Sequence, residues 1–253
     1  MTAEINSNYI QIDGELVHYV RGGKRADGND LPIVLVHGLA GDMTWWRNNM
    51  GALCELTEVY ALDLPGFGLS RSQRRFSLEA RLDALANWLA AVQVHPAIVV
   101  GHSLGGYLSA LLAVRSPESV AKLVLVDPAI FPPNYGWGCL VLGLMRALFY
   151  LSPNFIPTLI RGSIAAGPVT LMRAARDLLR FTILEDLRAI GTETLLVWGG
   201  SDTVVPPALS TAIRAAMRGP VTGPVELRGG HVSMWGDPQG FNTAVTAFAS
   251  RSR

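Results

Sequence analysis

The stretch AIVVGHSLGGYLSALL, residues 97–112, changes from an apolar run typical of a buried strand to a helical pattern at Ser103. Gly101 and Gly105 flank this serine, two residues away on either side. In a sharp strand–turn–helix, glycines at these positions avoid collisions with the turn, and the serine takes a strained conformation that exposes its hydroxyl. The N-terminus of the following helix then directs N–H groups and a positive partial charge toward developing negative charge. The stretch predicts a nucleophilic serine rather than a simple tight turn, although the pattern G-x-S-x-G alone is common by chance.

Short apolar runs recur along the chain with helical patterns between them. The runs lie at residues 32–38, 59–66, 97–103, 122–129, 194–202 and 225–230. Most are apolar throughout, which is typical of parallel strands covered on both faces. The helical patterns lie at residues 77–92, where Ser77 is a candidate N-cap, and at 104–114, 206–217 and 238–249. Strands that alternate with helices predict an α/β fold.

The N-terminal region predicts two further strands. Residues 9–13 and 15–21 are joined at Asp13-Gly14, and their alternating pattern indicates an antiparallel hairpin at the edge of a sheet. Together with the six runs, they predict a mostly parallel sheet of about eight strands with helices on both faces.

Residues 130–190 break this alternation, because they contain helical stretches but no strand pattern. We therefore expect a core domain formed by residues 1–129 and 191–253, with a helical cap inserted at 130–190. The insertion follows a strand, so it is expected at the carboxyl ends of the strands, where ligands bind in open α/β sheets.

The expected cap is both apolar and basic. Residues 138–151 carry a helical stripe formed by Leu140, Leu144, Leu148 and Leu151. Such a stripe has to be buried against the core, a ligand or a membrane. The charged residues of the cap are Arg146, Arg161, Arg173, Arg176, Arg180 and Arg188, with the acids Asp177, Glu185 and Asp186. These charges form either a solvated face or a surface that attracts an anionic substrate or membrane.

Composition restricts the classes of partner. Of the 253 residues, 49% are hydrophobic, enough for a large core, and the net charge of +1 gives no general attraction to nucleic acid. Cys54 and Cys139 are expected to be free buried thiols, and no metal-ligand spacing or phosphate-binding loop is visible. We expect a cytoplasmic protein with no transmembrane segment, because the N-terminus lacks a signal-peptide pattern and the run at 138–151 is too short to span a bilayer.

Four further motifs follow the other expected strands in a recognisable order. They are His37-Gly38-Leu39, Asp63-Leu-Pro-Gly-Phe-Gly-Leu-Ser70, Gly199-Gly-Ser-Asp202 and Gly230-His231. With the turn at Ser103, they resemble the α/β-hydrolase fold superfamily, in particular a serine esterase or lipase-like member with a helical cap. The resemblance covers nearly the whole chain and implies a hydrolase without a metal or other cofactor.

The family's chain order of serine, acid and histidine implies catalytic roles for Ser103, Asp202 and His231. His231 would be the general base, and Asp202 would fix its tautomer. The oxyanion hole would use the backbone N–H groups of Leu104 and Leu39.

Two other acids and four other histidines are weighed against this set. Asp127 follows a strand in LVLVDPA and is the rival acid, with a turn or capping role as the alternative. Asp63 is expected to anchor a loop. The histidines His18, His37, His95 and His102 are expected to pack or to anchor loops.

The leading functional hypothesis is hydrolysis of carboxylic esters with short- to medium-chain acyl groups, through an acyl-enzyme, with a small apolar ester as substrate. Thioesters, lactones and carbon–carbon bonds suit the same three residues, although HGLAGD departs from the H-G-x-G-P-G loop of C–C hydrolases. Dehalogenase and epoxide hydrolase relatives need a carboxylate at position 103. A non-enzymatic ligand receptor on the same fold is the alternative of another class.

Overall fold

The computed structural model describes residues 4–24, 30–70 and 77–251, which form an eight-stranded sheet with helices on both faces. The strands are β1 (Ile5–Ile12), β2 (Glu15–Gly22), β3 (Ile33–Val36), β4 (Val59–Leu62), β5 (Ala97–His102), β6 (Val120–Val126), β7 (Thr194–Gly199) and β8 (Val221–Leu227). Their order across the sheet is β1-β2-β4-β3-β5-β6-β7-β8. β1 and β2 form an antiparallel hairpin, β2 is antiparallel to β4, and every pair from β4 to β8 is parallel. The predicted fold class is confirmed.

The central strands are apolar throughout because each of their faces meets a different core. In β3, Val34 and Val36 belong to one apolar cluster, whereas Ile33 and Leu35 belong to the other. Strand β1 starts four residues before the predicted start at Tyr9, because most of its side chains are exposed and give no apolar signal.

Helices cover the two faces. They are α1 (Met50–Cys54), α2 (Leu78–Ala91), α3 (Leu104–Arg115), α4 (Trp137–Ala147), α5 (Ile156–Arg180), α6 (Ala208–Ala216), α7 (Ser233–Gly236) and α8 (Pro238–Ala249). α2 and α3 pack on one face of the sheet, while α1 and α8 pack on the other. The predicted cap of α2 is present, since the hydroxyl of Ser77 accepts a hydrogen bond from the N–H of Ala80 at 3.1 Å.

The helices α4 and α5 lie in the segment expected to form a cap. Each approaches a loop of the sheet through a glycine, where a Cβ on Gly143 would collide with the carbonyl oxygen of Thr203, and one on Gly162 with that of Ala40. Gly167 has a φ of 74° and precedes Pro168, so α5 is kinked there.

The expectation that both cysteines are buried is wrong for Cys139, which is exposed on α4, whereas Cys54 is buried.

One helical segment, Pro153–Arg180, is long and apolar enough to cross a membrane by length and composition alone. Its inner side chains nevertheless pack within the protein. They are Phe155, Thr158, Gly162, Ala166, Ala174, Ala175 and Leu178. α5 also contacts α2 of the core. We therefore describe the segment as part of the helical layer over the sheet.

Glycines bring β3, β5 and α3 together at Ser103. A Cβ on Gly101 would collide with the carbonyl oxygen of Gly105 and with Oγ of Ser109, and a Cβ on Gly105 would collide with the carbonyl oxygen of Val36. The neighbouring atoms at Gly105 are backbone of β3, so they cannot rotate away. The sequence-based explanation for these two glycines is therefore confirmed.

We predict that Gly105→Ala destabilises the protein by about 1–3 kcal/mol, because α3 and β3 would have to separate to admit the methyl group. Urea unfolding followed by circular dichroism measures this. The control is Gly51→Ala in α1, where a Cβ meets no atom within 4 Å and helix propensity favours alanine. Equal stability of the two variants would contradict the proposed close packing.

Candidate active site

Ser103 has a backbone conformation that a non-glycine residue rarely adopts. Its φ is 52° and its ψ is −115°. Its N–H donates to the carbonyl of Val126 at 3.0 Å, and its carbonyl accepts from the N–H groups of Ala129 and Tyr107, both at 3.0 Å. Three backbone hydrogen bonds, from β6, from the loop after it and from α3, thus hold the strained residue at the junction of β5 and α3.

The structure brings together the serine, the acid and the histidine implied by the sequence. Nε2 of His231 lies 2.9 Å from Oγ of Ser103, and Nδ1 lies 2.8 Å from Oδ2 of Asp202. The three residues follow β5, β7 and β8, whose carboxyl ends meet at one edge of the sheet. The side chain of Asp202 is fully buried, whereas that of His231 is 15% exposed, so solvent reaches the site on the histidine side.

The acid is itself held in place by the backbone. Oδ1 of Asp202 accepts hydrogen bonds from the N–H groups of Val204 and Val205 at 2.8 and 2.9 Å. The other oxygen therefore faces His231, where a carboxylate favours the tautomer with a proton on Nδ1. In that tautomer Nε2 is free to accept the proton of Ser103.

Charge sets the basicity of the imidazole. Burial favours the neutral form of His231, but the charge and hydrogen bond of Asp202, together with the charge of Asp127, outweigh it and raise the pKa of His231 above its usual 6.5. A raised pKa makes Nε2 a stronger base toward a hydroxyl proton.

The loop after β3 lies against the serine. The N–H of Gly41 donates to the carbonyl of Gly38 at 3.0 Å, and Ala40 has a φ of 62°, as the third residue of a type II turn requires. A Cβ on Gly38 would lie 3.0 Å from Cβ of Ser103, so the turn that carries Leu39 is adjacent to the hydroxyl. Leu104 is the first residue of α3, where an N–H has no partner within the helix.

Asp127, the rival acid, does not contact the imidazole. Its Oδ1 accepts from the N–H of Gly199 at 2.7 Å, and its Oδ2 from the hydroxyl of Ser233 at 2.5 Å. Burial and the charge of Asp202 raise the pKa of Asp127 well above its usual value. Asp127 thus ties the ends of β6 and β7 to α7. The sequence did not indicate that Ser233 takes part in this contact.

His102 has a role that the sequence did not reveal. Its Nε2 lies 2.7 Å from the carbonyl oxygen of His231, and burial lowers its pKa well below the usual value, so a neutral ring donates from Nε2. The imidazole therefore holds the backbone of His231. No pattern in the sequence distinguishes this function from ordinary packing, because it depends on the return of the chain 129 residues later.

The remaining candidates are structural. Nδ1 of His18 lies 2.9 Å from Asp63, whose carboxylate also accepts from the N–H groups of Met43 and Leu69, so Asp63 anchors its loop. Nε2 of His37 accepts from the N–H of Leu64 at 3.0 Å. His95 is exposed.

The paired tryptophans after the β3 loop, Trp45 and Trp46, are buried. Trp45 packs against Phe155 and the ring of His102, and Trp46 packs against Phe241. Among the residues that the structure describes, no three His, Cys, Asp or Glu residues are grouped as a metal site would require.

Comparison with known proteins agrees with the fold. The sequence model of the alpha/beta hydrolase family matches residues 33–244. The chain is 28% identical over 263 residues to the dihydrolipoyllysine-residue acetyltransferase component of the acetoin cleaving system from Cupriavidus necator, which covers 94% of this chain and 67% of that protein. It is 39% identical over 110 residues to human 1-acylglycerol-3-phosphate O-acyltransferase ABHD5, and this match covers 41% of the chain but only 31% of that relative's length.

Two solved structures illustrate the structural likeness. A bacterial membrane phospholipase A superposes with a TM-score of 0.79 and 26% identity over 96% of this chain and 85% of the other. The enol-lactonase from Burkholderia xenovorans superposes with a TM-score of 0.77 and 20% identity over 96% of this chain and 100% of the other, a likeness of fold.

The two acids lead to a prediction about activity and its pH dependence. In Asp202→Asn, the amide oxygen stays on the N–H groups of Val204 and Val205, so the NH₂ group faces Nδ1 of His231 and favours the wrong tautomer. We expect kcat for p-nitrophenyl butyrate to fall by about a thousandfold or more. In the wild type, kcat/KM should be lost as the pH falls through the pKa of His231, with a midpoint above 6.5. That midpoint should move to lower pH in Asp202→Asn.

Asp127→Asn is the matched control, because its amide oxygen can still accept from the N–H of Gly199, and its NH₂ group can donate to the hydroxyl oxygen of Ser233, so both partners are kept. We expect this variant to keep most of its activity. An inactive Asp127→Asn beside an active Asp202→Asn would transfer the catalytic role to Asp127.

Proposed function

Because the chain belongs to the α/β-hydrolase family, we propose that it is a serine hydrolase that cleaves carboxylic esters through an acyl-enzyme on Ser103. The observation that carries the proposal is the continuous chain of hydrogen-bond contacts from Ser103 through His231 to the buried carboxylate of Asp202. A hydroxyl becomes an effective nucleophile when a positioned base takes its proton, which is what this arrangement provides.

In the first half of the reaction, Oγ of Ser103 attacks the ester carbonyl while its proton passes to Nε2 of His231. The carbonyl oxygen becomes an oxyanion, which the N–H groups of Leu104 and Leu39 are proposed to bind. The tetrahedral intermediate collapses when the imidazolium returns the proton to the departing alkoxide. The alcohol leaves, and the acyl group remains on Ser103.

In the second half, water replaces the alcohol. Nε2 of His231 takes a proton from the water, the oxygen attacks the acyl carbon, and the same N–H groups bind the second oxyanion. Collapse returns the proton to Oγ and releases the carboxylic acid. The 15% exposure of the His231 side chain supports entry of water from that side.

The surroundings of the site favour an apolar acyl group. Ala129 hydrogen-bonds to the backbone of Ser103 and, with Ile130 and Phe131, begins the segment that leads into α4. All three side chains are buried. Two of the similar proteins are named for lipid chemistry, a phospholipase A and a 1-acylglycerol-3-phosphate acyltransferase, which supports a lipid-like ester.

Ser103 is expected to be the single site of acylation. A fluorophosphonate should label the protein once, and peptide mass spectrometry should place the adduct on Ser103. Ser103→Ala should abolish labelling and lower turnover by about three to six orders of magnitude, because no other group supplies the nucleophile.

The matched control is Ser109→Ala, in α3, the helix that follows Ser103. The hydroxyl of Ser109 is buried, and no hydrogen-bond partner for it is found among the described residues. This variant should label like the wild type. Loss of labelling there, or an adduct elsewhere, contradicts the assignment, and a single labelling event without turnover of any ester identifies a ligand receptor instead.

The acyl preference is tested with a series of p-nitrophenyl esters in detergent-free buffer. We expect kcat/KM to rise from acetate to at least butyrate or hexanoate. Each buried methylene contributes up to about 0.8 kcal/mol, or roughly fourfold. A maximum at acetate would indicate a small, tight site. Parallel assays with a thioester, a lactone and a ring-cleavage product, each against Ser103→Ala, compare the alternative reactions on the same residues.

A further inference from the structure

α4 and the turn that follows it leave most of their apolar side chains in solvent. Only Leu140 and Gly143 of α4 are buried. Of the leucine stripe identified in the sequence, Leu140 is buried and Leu151 is partly buried, but Leu144 is 50% and Leu148 is 67% exposed, so burial against the core accounts for only half of it. The exposed apolar side chains of this segment are Trp137, Val141, Leu142, Leu144, Met145, Leu148, Phe149 and Tyr150.

α5 adds a second exposed apolar stripe. Ile156, Ile160 and Ile164 follow one another at four-residue intervals and are 41%, 52% and 77% exposed. With Pro157, Arg161 and Ala165 of the same helix, they line a shallow, open depression of about 710 Å³. Beyond the kink, Val169 and Met172 are also exposed.

The two exposed surfaces lie on the same side of the molecule. The inner strip of α4 rests through Gly143 on Thr203, next to Asp202, and that of α5 rests through Gly162 on Ala40, next to Leu39. Both helices therefore sit on the sheet edge that carries Ser103. Their opposite faces point away from the core at that edge, and together we call them the outer cap surface.

Positive charge accompanies this apolar surface. Residues 137–181 contain the exposed arginines Arg146, Arg161, Arg173, Arg176 and Arg180. Asp177 is the only acid among these residues, so the segment carries a net charge of +4. The whole chain has a net charge of +1, so the rest of it carries −3.

Exposed apolar side chains beside arginines indicate what binds to the outer cap surface. A monomer in water rarely exposes contiguous apolar patches of this kind, whereas apolar side chains flanked by arginines are suited to insertion among anionic lipids. Arg161 is paired with Asp42, so a second copy of the same surface would oppose the other four arginines with four arginines, which disfavours self-association. The sequence stretches outside the described residues supply only two large apolar side chains, Met1 and Phe76, too few to cover it.

We propose that the outer cap surface docks on an anionic phospholipid surface and so presents the Ser103 site to the lipid interface. Apolar side chains such as Met145 and Phe149 would enter the acyl region, while Arg146 and Arg173 would contact the headgroups. Docking depends on the outer cap surface and not on the reaction at Ser103. The docking proposal can therefore fail while the proposed hydrolase function holds, and the reverse is also true.

The test is co-sedimentation of the full chain with vesicles. The Ser103→Ala background prevents hydrolysis of the lipid. We expect binding to vesicles of phosphatidylcholine and phosphatidylglycerol in equal parts, weaker binding to phosphatidylcholine alone, and loss of the difference at high salt. The double variant Met145→Ser/Phe149→Ser should lower the partition coefficient by more than about tenfold. Arg146→Glu/Arg173→Glu should lower it on anionic vesicles by about fivefold or more per residue.

Matched controls change the same residue types outside the cap. Leu16→Ser replaces a 54% exposed leucine of β2, and Arg218→Glu reverses an exposed arginine after α6. Both should bind like the parent. All replaced side chains are exposed, so we expect the thermal unfolding midpoint of every variant to match that of the parent. A matching midpoint shows that the variant is folded.

Three results would overturn the proposal. The first is that the protein binds neither kind of vesicle. The second is that the control variants lose as much vesicle binding as the cap variants. The third is that light scattering shows a dimer, which Met145→Ser/Phe149→Ser dissociates without changing vesicle binding. The last result would assign the outer cap surface to a second copy of the chain.

Discussion

The left-handed backbone of Ser103 is the constraint on which the rest of the site depends. Its φ of 52° is tolerated because both backbone groups of the residue are hydrogen-bonded. Its N–H donates to Val126 at the end of β6, and its carbonyl accepts from Ala129 just beyond that strand. This conformation turns the chain from β5 into α3 with the hydroxyl at the apex. It also requires Gly101 and Gly105, because side chains there would collide with the backbone of the turn and of β3. One strained residue thus sets the direction of α3 and requires its close contact with β3.

The sequence predicts this part of the structure well because its signals are local. The apolar runs, the Ser77 cap and the glycines around Ser103 each depend on neighbours within a few residues. The hairpin start was less accurate, since the exposed side chains of β1 carry no apolar pattern. The choice between Asp202 and Asp127 had to rest on resemblance, because both follow strands that end at the same edge. In the structure, two backbone N–H groups orient Asp202 toward His231, whereas Asp127 is occupied by Gly199 and Ser233.

What the sequence could not supply are contacts between distant segments. His102 supports the backbone of His231 across 129 residues, and its position beside Ser103 gives no indication of that. The orientation of α4 could not be predicted from the sequence either. Its helical stripe was visible, but whether Leu144 and Leu148 face the core or the solvent depends on which strip of α4 can approach Thr203. Gly143 decides this, because it is the position on α4 where the backbone comes against the loop.

The same close approaches connect the cap to the chemistry. The hydroxyl of Thr203 donates to the carbonyl of Gly143 at 2.8 Å, and the hydroxyl of Tyr135 donates to the carbonyl of Val204, so α4 and the segment before it hold the loop that orients Asp202. Arg161 of α5 donates to Asp42 at 2.9 Å, just beyond the turn that carries Leu39. Helices held to both loops cannot shift without disturbing Asp202 or the turn that carries Leu39. For the proposed reaction, displacement of α4 and α5 would therefore disturb the contacts around Ser103, which favours substrate entry beside the partly exposed His231 while both helices stay in place.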